Sequence, residues 1–529
     1  MQNLVKEYIE NILETSVVLE KPKDISFGHY ATPVAFSLAK ELRKSPMIIA
    51  DELASKFDDS SMFEKVEAVK GFINFKLSND FLQSLVDNAL SNENTFAKET
   101  KKDKKILLEY VSANPTGPLH IGHARGAIQG DTIARVGRHL GFDITTEYYI
   151  NDAGSQMDML GLSICLAAQE FIYELDVEYP ETYYRGDYLT DIAKVVIEKF
   201  GKDVIFDEAK HKEIAFFAKD LVMDIIVSDL KDLGIEFNTF VSEKSLYPLW
   251  EETKKVLENN DSLYTKDEKV WIRSTNIGDD VDRVVVRDNG IPTYLAGDII
   301  YHKNKYDRGF DEYINIWGAD HHGYIKRVKA AIEFLGNDSK KLEVLLSQMV
   351  SLLKGGEPYK MSKRAGNVIL MSDITNDIGS DALRFVFLTK KSDTHLEFDL
   401  DRLTNQDSSN PIFYINYAHA RINQVFKKAE LTFDDIKDES FENLNQDGLN
   451  LIYESLLLGS VLNEAFAKRE MQKITEYLTS LAASIHKFYN DYKVVGSAEQ
   501  NMYLKALSMS AMSIRVGLDL LGIKAKDKM

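Results

Sequence analysis

The sequence predicts a multidomain protein in which a small α+β domain and an α/β domain are followed by an all-α domain. At 529 residues, the chain is too long for one hydrophobic core. Its central part alternates short apolar runs with helical patterns, as α/β folds do. From about residue 376 onward, the spacing of apolar residues is helical almost throughout.

The first domain is predicted over residues 1–95. Apolar residues at helical spacing predict a first helix, and further helices are predicted over 33–42 and after Ser45-Pro46, where proline favours a first helical turn. The segment GFINFKL at 71–77 predicts a strand. The charged stretch SNENTFAKETKKDKK then marks the boundary to the next domain.

The second domain, predicted over 96–375, begins with a β-α-β unit. A buried strand is predicted over 106–111, a helix over 119–140 and a second strand over 144–150. Between the first strand and the helix lies SANPTGP, a turn rich in glycine and proline. This order predicts a Rossmann-like nucleotide-binding domain with a parallel sheet.

A second unit of the same kind lies far along the chain. A strand over 313–317, a turn over 318–323 and a helix over 324–335 are predicted there, followed by a further strand within 342–352. The intervening region, about 160–260, is mostly charged amphipathic helix and is predicted to be an insertion.

The third domain, predicted over 376–529, is a helical bundle. The sequence contains no internal repeat and no long low-complexity tract. In one predicted helix of the bundle, five apolar residues share a face. They are Ile474, Leu478, Leu481, Ile485 and Phe488.

Composition limits the possible functions. The net charge is −19, so RNA could bind only through local patches of lysine and arginine. No apolar run reaches the ~20 residues of a membrane helix, and the first residues lack the pattern of a secretory signal. The single cysteine, Cys165, excludes an internal disulfide and a zinc site made of several thiolates. We therefore expect a cytoplasmic protein with no membrane partner.

The motif His120-Ile121-Gly122-His123 opens the first helix of the predicted α/β domain. A helix amino terminus presents unpaired N–H groups and partial positive charge, so it attracts phosphate. Gly122 would let a flat adenine or ribose approach the backbone, and the imidazoles could donate hydrogen bonds to phosphate oxygens. For this motif alone, a pair of surface or capping histidines is the alternative.

The motif Lys360-Met361-Ser362-Lys363 lies within GGEPYKMSKRAGN, between glycines that predict a loop. Lysines on such a loop could close over a triphosphate and neutralise the charge that builds at phosphorus. For this motif alone, a solvated basic loop is the alternative. The two motifs together, in this order and each after a predicted strand, favour nucleotide binding.

The two motifs resemble the HIGH and KMSKS signatures of class I aminoacyl-tRNA synthetases. The segments EYVSANPTGPLHIGHARGAIQGD, WGADHHGYIKR, SDALRF and NPIFYINYAHARI resemble the arginyl-tRNA synthetase family. The likeness extends from FGHY and GFINF to the final LGIKAKDKM, and it is weakest in the insertion. The HIGH region that the resemblance carries over comprises Ala113, Asn114, Pro115, Thr116, Gly117, Pro118, Leu119, His120, Ile121, Gly122 and His123.

The resemblance implies an ATP-dependent ligase that acts on L-arginine and tRNA(Arg). The arginine carboxylate attacks the α-phosphorus of ATP and expels pyrophosphate, and the 2′-hydroxyl of the terminal tRNA adenosine then takes the arginyl group. In this family the first step generally needs bound tRNA. We expect Mg²⁺ to arrive with ATP, because the sequence shows no dedicated carboxylate cage. The family also suggests a monomer.

The resemblance also assigns the catalytic groups. Lys363 would stabilise the charged transition state, and Lys360 would hold the loop or the pyrophosphate. Family members that lack the second lysine of the later motif carry a lysine just before the histidine motif instead. In this sequence that earlier position is Gly117 and Lys363 is present, so one lysine supplies the positive charge, as in the family. No side chain need act as a base, because the attacking carboxylate is already ionised. The expected ATP contacts are His120, Gly122, His123, Met361 and Lys363.

A guanidinium suits a carboxylate fork, so its pocket should contain acids and a hydroxyl. The expected arginine-binding residues are Glu109, Ser112, Asn114, His120, Tyr294 and Asp298. By similarity, Tyr294 and Asp298 bind the guanidinium, and Ser112 and Asn114 hold the amino-acid end. Alternatively, Asp298 could cap a helix, and Glu109 could pair with a lysine of KKDKK.

Asp320, His321 and His322 follow the second predicted strand of the α/β domain. We expect Asp320 and His322 to contact ATP or arginine. A metal site is the less favoured alternative, because adjacent histidines are poorly spaced for one ion. No metal site is predicted.

The C-terminal bundle resembles the anticodon-binding module of the family, and SDALRF marks its beginning. Tyr414, Tyr417 and Arg421 fall on one stretch and could stack on anticodon bases. The alternative is that the tyrosines are core residues of the bundle. The N-terminal domain is expected to contact the outer corner of the tRNA, as in the family.

Three rival functions remain at this stage. The chain could be a class I synthetase for lysine, glutamate or cysteine, but the acids, the DALR stretch and the missing zinc cysteines oppose this. It could be a nucleotidyltransferase that needs no RNA, which the large flanking domains oppose. It could be an inactive tRNA-binding protein, which the intact His120, His123 and Lys363 oppose.

Overall fold

A computed structural model describes residues 1–22, 24–359 and 368–529. They form two compact units, which do not follow the chain in simple order. The first unit joins Met1–Glu99 to Gln406–Leu520 and Lys524–Met529, and the second comprises Thr100–Asn405 and Leu521–Ile523. The division into three domains, with boundaries near residues 95 and 375, stays a prediction.

The amino-terminal part of the first unit is a small α+β structure. Its elements are α1 (Gln2–Leu13), β1 (Tyr30–Thr32), α2 (Val34–Leu42), α3 (Pro46–Ala54), β2 (Phe63–Val69), β3 (Phe72–Leu77) and α4 (Asn79–Ser91). The strands form an antiparallel sheet in the order β1-β3-β2. Thus the helices predicted over 33–42 and from Pro46, and the strand over 71–77, are confirmed, whereas β1 and β2 were not predicted.

The second unit contains a parallel sheet with helices packed around it. Its elements are β4 (Lys105–Glu109), α5 (Ile121–His139), β5 (Asp143–Ile150), α6 (Ser155–Phe171), α7 (Asp187–Phe200), α8 (His211–Asp232), β6 (Thr239–Ser242), α9 (Glu243–Leu246), α10 (Trp250–Asn259), β7 (Leu263–Lys266), β8 (Lys269–Ile272), β9 (Arg283–Val286), α11 (Tyr294–Asp307), β10 (Glu312–Gly318), α12 (Ile325–Phe334), β11 (Leu342–Ser347), β12 (Val350–Lys354), β13 (Glu357–Pro358), α13 (Met371–Ile378), α14 (Ser380–Phe387), β14 (Leu396–Asp399) and α15 (Leu400–Thr404).

The central sheet has the order β11-β10-β4-β5-β6, and all neighbouring strands are parallel. The chain adds β5 and β6 on one side of β4, and later adds β10 and β11 on the other side. The direction of growth therefore reverses between β4 and β10. In open α/β sheets, the carboxyl ends of the strands at such a reversal form a ligand-binding crevice. The predicted Rossmann-like parallel sheet is confirmed.

Two details of the predicted α/β domain are wrong. The region 160–260 is not only a helical insertion, because it contains β6, which belongs to the central sheet. This strand has only four residues and lies at the sheet edge, mostly half-buried, so it lacks the apolar run of a buried strand. The single strand predicted within 342–352 is two strands, because the chain leaves the central sheet after β11 and enters another sheet with β12.

Two smaller sheets complete the second unit. Strands β7, β8 and β9 form an antiparallel sheet, and β12 lies between β13 and β14 in the other. Strand β14 pairs in parallel with β12. The expectation of helix almost throughout from residue 376 therefore misses this one strand.

Helix α5, which begins with the histidine motif, is held by a buried arginine. The guanidinium of Arg125 donates hydrogen bonds to three backbone carbonyl oxygens, at 3.2 Å from Gln348, 2.7 Å from Thr394 and 2.7 Å from Lys391. Arg125 is fully buried. Because Arg125 bonds to two separate segments, α5 is fixed relative to the β11–β12 connection and to the loop before β14.

The carboxyl-terminal part of the first unit is helical, as predicted. Its helices are α16 (Pro411–Ala429), α17 (Gln446–Leu456), α18 (Leu458–Lys468), α19 (Gln472–Asp491) and α20 (Gln500–Leu520). The five apolar residues that predicted one helix face are all buried on α19. Among the described residues, no helix is long and apolar enough to cross a membrane.

Candidate active site

The turn that leaves β4 has a strained backbone. Val111 and Ser112 both adopt left-handed conformations, with φ of 66° and 43°. Such angles are unusual outside glycine and are rarer still for a β-branched residue. They persist because the Ser112 hydroxyl is held on two sides: it donates to Glu109 at 3.0 Å and accepts from the Tyr149 backbone N–H at 3.1 Å. Strain of this kind is concentrated at functional sites.

A cavity of about 1350 Å³ opens at the carboxyl ends of β4 and β10, where the sheet reverses direction. Six of the residues expected to bind ATP or arginine line it, namely Ser112, Asn114, His120, Gly122, His123 and Asp320. From the HIGH region, Ala113, Thr116, Gly117 and Pro118 also line the cavity. Leu119 and Ile121 are instead buried in the core, where they anchor the motif.

The two histidines of the motif are neutral donors. Their rings stack with centroids 3.7 Å apart. Burial lowers the pKa of both, that of His123 to about 3 with a further contribution from His120. The Nδ1 of His120 accepts from the Gly122 backbone N–H at 3.1 Å, and that of His123 accepts from the His120 backbone N–H at 3.4 Å. Each neutral ring therefore carries its proton on Nε2.

The histidines of the motif both cap a helix and line the cavity, two roles that the sequence left as alternatives. His120 is the N-cap of α5, and it forms a capping box with His123. The same two side chains line the cavity. Gly122 is constrained by this arrangement, because a Cβ atom there would lie 2.9 Å from the His120 ring.

The lysine motif, with Lys360, Met361 and Lys363, lies outside the described residues. The segment that follows it is in direct contact with the histidine motif. The Ile121 backbone N–H donates to the Ile369 carbonyl, and the Met371 N–H donates to the Leu119 carbonyl, both at 2.9 Å. Val368 and Leu370 line the cavity. The segment that follows the lysine motif therefore forms part of the cavity wall, next to the histidine motif.

The turn after β10 supplies Asp320 and His321 to the cavity wall, whereas His322 does not line it. The two residues that line the wall are exposed and lie 3.6 Å apart, from His321 Nε2 to Asp320 Oδ2. In the described part of the chain, no group of three or more histidine, cysteine or acidic residues could hold a metal ion. The alternative of a metal site at this turn thus finds no support there.

Four polar residues share one face of α11, at the spacing of successive helical turns. They are Tyr294, Asp298, Tyr301 and Lys305. Asp298 lies inside the helix, whose N-cap is Thr293, so the alternative that Asp298 caps a helix is wrong. One Asp298 carboxylate oxygen accepts a hydrogen bond from the Tyr324 hydroxyl at 2.6 Å. Burial, together with the nearby carboxylates of Glu243 and Glu109, raises the pKa of Asp298 to about 7.

Glu109 is buried at the end of β4 and forms an ion pair with the buried amine of Lys305. The alternative that Glu109 pairs with a lysine of KKDKK is therefore wrong. Lys305 also donates to the Asn315 side chain at 2.9 Å. Since Ser112 both lines the cavity and bonds to Glu109, it connects the cavity to the acids behind it.

Glu109, Tyr294 and Asp298 do not line the large cavity. Tyr294 is about half exposed, and its hydroxyl lies over Gly154, where a Cβ atom would be 2.7 Å away. The acids instead form a cluster beside Ser112, which we call the acid pocket and define by Glu109, Glu243 and Asp298 with the Tyr149 phenol near them. These carboxylates and burial raise the pKa of Tyr149 above its ordinary range.

Comparison with known proteins agrees with this geometry. A family model described as tRNA synthetases class I (R), catalytic domain, matches residues 85–427, which is more than half of the chain. The chain belongs to the arginyl-tRNA synthetase family. Further models match on either side: the arginyl tRNA synthetase N terminal domain at residues 1–77 and the DALR anticodon binding domain at 415–529.

Individual members of the family are similar over the whole chain. The arginine–tRNA ligase of Aliarcobacter butzleri is 76% identical over 529 residues, with complete coverage of both proteins. A solved structure from Campylobacter jejuni, described as an arginyl-tRNA synthetase, is 55% identical and covers 86% of this chain and 100% of its own, with a TM-score of 0.83. The arginyl-tRNA synthetase of Thermus thermophilus shares the fold, with a TM-score of 0.78 at 20% identity and complete coverage of both chains.

Several residues of this family member's site were missed from sequence. Lys305 and Tyr301 could have been found, since they continue the helical spacing of Tyr294 and Asp298. Glu243 and Tyr324 carry no such signal, because each comes from a separate element. From the predicted insertion, Tyr184 and Tyr188 line the cavity, and the Tyr188 hydroxyl donates to the Thr116 carbonyl at 2.7 Å; no sequence pattern indicates this contact.

The residues expected at the anticodon form a cluster on α16, in the other compact unit. The Arg421 guanidinium donates to the Tyr417 hydroxyl at 2.9 Å and lies over the rings of Tyr417 and Tyr489. Tyr414 packs against His486, at 4.5 Å between ring centroids. Tyr417 is exposed, and Tyr414 is half-buried. The alternative that both tyrosines are core residues is therefore wrong for Tyr417.

The Glu109–Lys305 ion pair leads to a stability prediction. Lys305→Met leaves a buried carboxylate without its cation, and such a change costs about 3–5 kcal/mol. We expect the free energy of unfolding to fall by that amount, measured by urea unfolding followed by circular dichroism. Lys303→Met is the matched control, because Lys303 lies on the same helix as Lys305 but pairs with the exposed acids Glu252 and Asp307. Equal losses for the two variants would contradict the prediction.

Proposed function

We propose that this chain is an arginine–tRNA ligase that uses ATP to attach L-arginine to tRNA(Arg) through an arginyl-adenylate. The observation that carries the proposal is the acid pocket beside a pair of neutral imidazoles, at the crevice of a class I catalytic domain. The imidazoles suit phosphate, and the acids suit a guanidinium. Ser112, which touches both regions, lies where the reacting carboxylate would be expected.

The first step needs no general base. A carboxylate oxygen of arginine attacks the α-phosphorus of ATP, the new O–P bond forms, and the bond to the pyrophosphate oxygen breaks. Catalysis then depends on orientation and on stabilising the charge of the leaving group. In the second step, the 2′-hydroxyl of the terminal tRNA adenosine attacks the arginyl carbonyl carbon and AMP leaves.

The Nε2–H groups of His120 and His123 would donate to phosphate oxygens. As neutral donors they can bind ATP without an imidazole titrating near neutral pH. Gly122 and Met361 would contact the nucleotide, and Lys360 and Lys363 would neutralise the pyrophosphate. Mg²⁺ would be delivered with ATP. Asp320, which lines the cavity, would contact ATP or arginine, whereas His322 does not line the cavity and is assigned no contact.

Arginine would place its guanidinium in the acid pocket and its carboxylate in the large cavity. Asp298 and Tyr294 would bind the guanidinium, while Ser112, Asn114 and His120 would bind the amino-acid end. Glu109 would act mainly through Ser112, because its other contact is Lys305.

The helical part of the other compact unit would bind tRNA. Tyr414, Tyr417 and Arg421 offer rings and a guanidinium for stacking on anticodon bases. The family model at 415–529 supports this assignment. We further propose that the enzyme works as a monomer in the cytoplasm.

The decisive experiment is exchange of labelled pyrophosphate into ATP, with each amino acid in turn and with or without tRNA(Arg). We expect exchange with arginine only, and much faster exchange when tRNA is present. Exchange driven by lysine or glutamate would refute the proposed substrate. Equal exchange without tRNA would refute the tRNA requirement but not the reaction.

Lys363→Ala should lower the rate of adenylate formation by about 10²–10³, because it removes a charge needed mainly in the transition state. The arginine dissociation constant should change little. Single-turnover kinetics and equilibrium binding measure the two quantities separately. Arg402→Ala is the control, since Arg402 is an exposed cation that does not line the cavity. Equal losses in rate and in arginine binding would contradict the transition-state role.

Asp298 predicts that arginine binding depends on pH. Its pKa of about 7 in the free protein means that it is protonated below neutral pH, whereas a bound guanidinium favours the ionised form. The KM for arginine should therefore rise as pH falls below about 7, by up to about tenfold per pH unit. Asp298→Asn should raise this KM and remove most of the pH dependence. A KM for arginine that stays constant between pH 5.5 and 8 in the unmodified enzyme would contradict the assignment.

A further inference from the structure

The turn between β4 and α5 supplies most of the HIGH-region residues that line the cavity. Its backbone belongs to no helix or strand, so its buried carbonyl groups need hydrogen-bond donors from elsewhere. The Ala113 carbonyl accepts from the Tyr148 hydroxyl at 2.9 Å, and the Thr116 carbonyl accepts from the Tyr188 hydroxyl at 2.7 Å. Two tyrosine hydroxyls therefore hold the backbone of this turn.

The two tyrosines come from different layers of the second unit. Tyr148 is fully buried on β5, the strand next to β4 in the central sheet. Tyr188 is half-buried in the first turn of α7, within the region of 160–260 that lies mostly outside this sheet. The position of the Thr116 carbonyl thus depends on how α7 packs, in addition to the sheet.

The segment that carries Tyr188 is itself firmly anchored. Just before α7, the Tyr184 backbone N–H donates to the hydroxyl of Ser163, at 2.9 Å. Ser163 is buried on α6. Helix α7 buries one apolar face, made of Leu189, Ile192, Ala193 and Val196. The Tyr188 hydroxyl therefore reaches the turn from a fixed support.

Tyr188 also fills the space beside Gly117. A Cβ atom at Gly117 would lie 3.0 Å from the Tyr188 hydroxyl oxygen and 3.3 Å from the ring carbon that bears it. Gly117 does not have a left-handed φ, so its backbone conformation would accept alanine. The close approach of Tyr188, and not the backbone, is what limits the residue at this position.

The contact at Thr116 lies between two groups that the proposed reaction uses. Asn114, two residues earlier, is expected at the amino-acid end of arginine, and His120, four residues later, at the phosphates. The far end of the turn is fixed separately, because the Leu119 carbonyl accepts from the Met371 N–H at 2.9 Å. A movement of the backbone at Thr116 would therefore change the spacing between the groups that orient the two substrates.

We propose that Tyr188 is a positioning residue for adenylate formation, whose hydroxyl and ring hold the turn that carries Asn114 and His120. This inference rests on the proposed function of the site. Without the hydroxyl, the Thr116 carbonyl loses its donor and the turn relaxes. Since the first step depends on the orientation of the carboxylate against the α-phosphorus, a small displacement of this turn lowers its rate.

Tyr188→Phe removes the hydroxyl and keeps the ring. In arginine-dependent pyrophosphate exchange with tRNA present, this variant should lower kcat/KM for ATP by about tenfold, as expected for the loss of one orienting hydrogen bond. The arginine dissociation constant, from equilibrium dialysis, should stay within about threefold, because other residues bind the guanidinium. A kcat/KM for ATP within about twofold of the unmodified enzyme, or an equal loss of arginine affinity, overturns the proposal.

Tyr173→Phe is the matched control. It removes a tyrosine hydroxyl from the same region, where the ring packs on Phe206 at 5.5 Å between centroids, and Tyr173 does not line the cavity. Exchange and arginine binding should therefore be unchanged in this variant. A loss as large as that in Tyr188→Phe would show a general effect of removing a hydroxyl from this region and would overturn the proposal.

Gly117→Ala tests the same contact from the other side. Its Cβ atom displaces Tyr188, so kcat/KM for ATP should fall in this variant as well. The double variant Gly117→Ala/Tyr188→Phe should lie within about threefold of the poorer single variant, because both changes act on one contact. Losses that multiply overturn the proposal. If Tyr188→Phe does not fold, an unchanged kcat/KM for ATP in Gly117→Ala overturns it instead.

The unmodified enzyme separates this inference from the function on which it rests. If arginine drives exchange in the unmodified enzyme and Tyr188→Phe exchanges equally well, the positioning role alone is overturned. If arginine drives no exchange in the unmodified enzyme, both the function and the positioning role are overturned. Exchange with arginine that is selectively slowed in Tyr188→Phe and in Gly117→Ala supports both.

Discussion

The buried ion pair between Glu109 and Lys305 is the interaction on which the acid pocket depends. Three carboxylates lie near the Tyr149 phenol, and Lys305 forms an ion pair with one of them, Glu109. It also bonds to Asn315 on β10, so one amine joins β4, β10 and α11. With this pair formed, Glu109 is held in place and its other oxygen can orient Ser112. The strained turn at Ser112 is thereby fixed by contacts on both sides.

The two sides of the site differ in electrostatic character. Toward the large cavity, the polar groups are neutral imidazoles whose Nδ1 atoms are occupied by backbone N–H groups. Toward α11, the groups are carboxylates. A substrate with a cationic end and an anionic end would be oriented by this difference alone. Ser112 lies at the boundary, because it lines the cavity and its hydroxyl donates a hydrogen bond to Glu109.

The sequence predicted the parts of the site that are encoded locally. The histidine motif was placed correctly at the start of α5, because an N-cap, a glycine and a preceding strand are all adjacent in the chain. Tyr294 and Asp298 were expected at the guanidinium from their chemistry and from the resemblance to the family, and the structure places them on one face of α11. Lys305 was missed as the partner of Glu109 because the two residues are 196 positions apart. Only the tertiary packing of α11 against β4 brings them together.

Glu243 was missed for a related reason. It follows a strand of four residues at the edge of the sheet, and the charged helices around that strand conceal it. The same feature makes β6 hard to predict, since an edge strand that is half exposed needs no apolar run. Thus the residues that escape prediction are those whose environment is made by several short elements, and Glu243 is the acid of the pocket for which this holds.

The pocket must also be stable when no guanidinium is bound. Two unpaired carboxylates in one buried space would repel each other, and like charges raise the pKa of at least one member of such a pair. The pKa of Asp298 is raised to about 7, mainly by burial and additionally by the carboxylates of Glu243 and Glu109. Near neutral pH it can therefore hold a proton, which limits the repulsion in the empty pocket. A guanidinium would displace that proton, so that the pocket exchanges one positive charge for another and never buries two uncompensated acids. Under the proposed function, this exchange would allow the same acids to be stable in the empty site and to bind a cationic side chain.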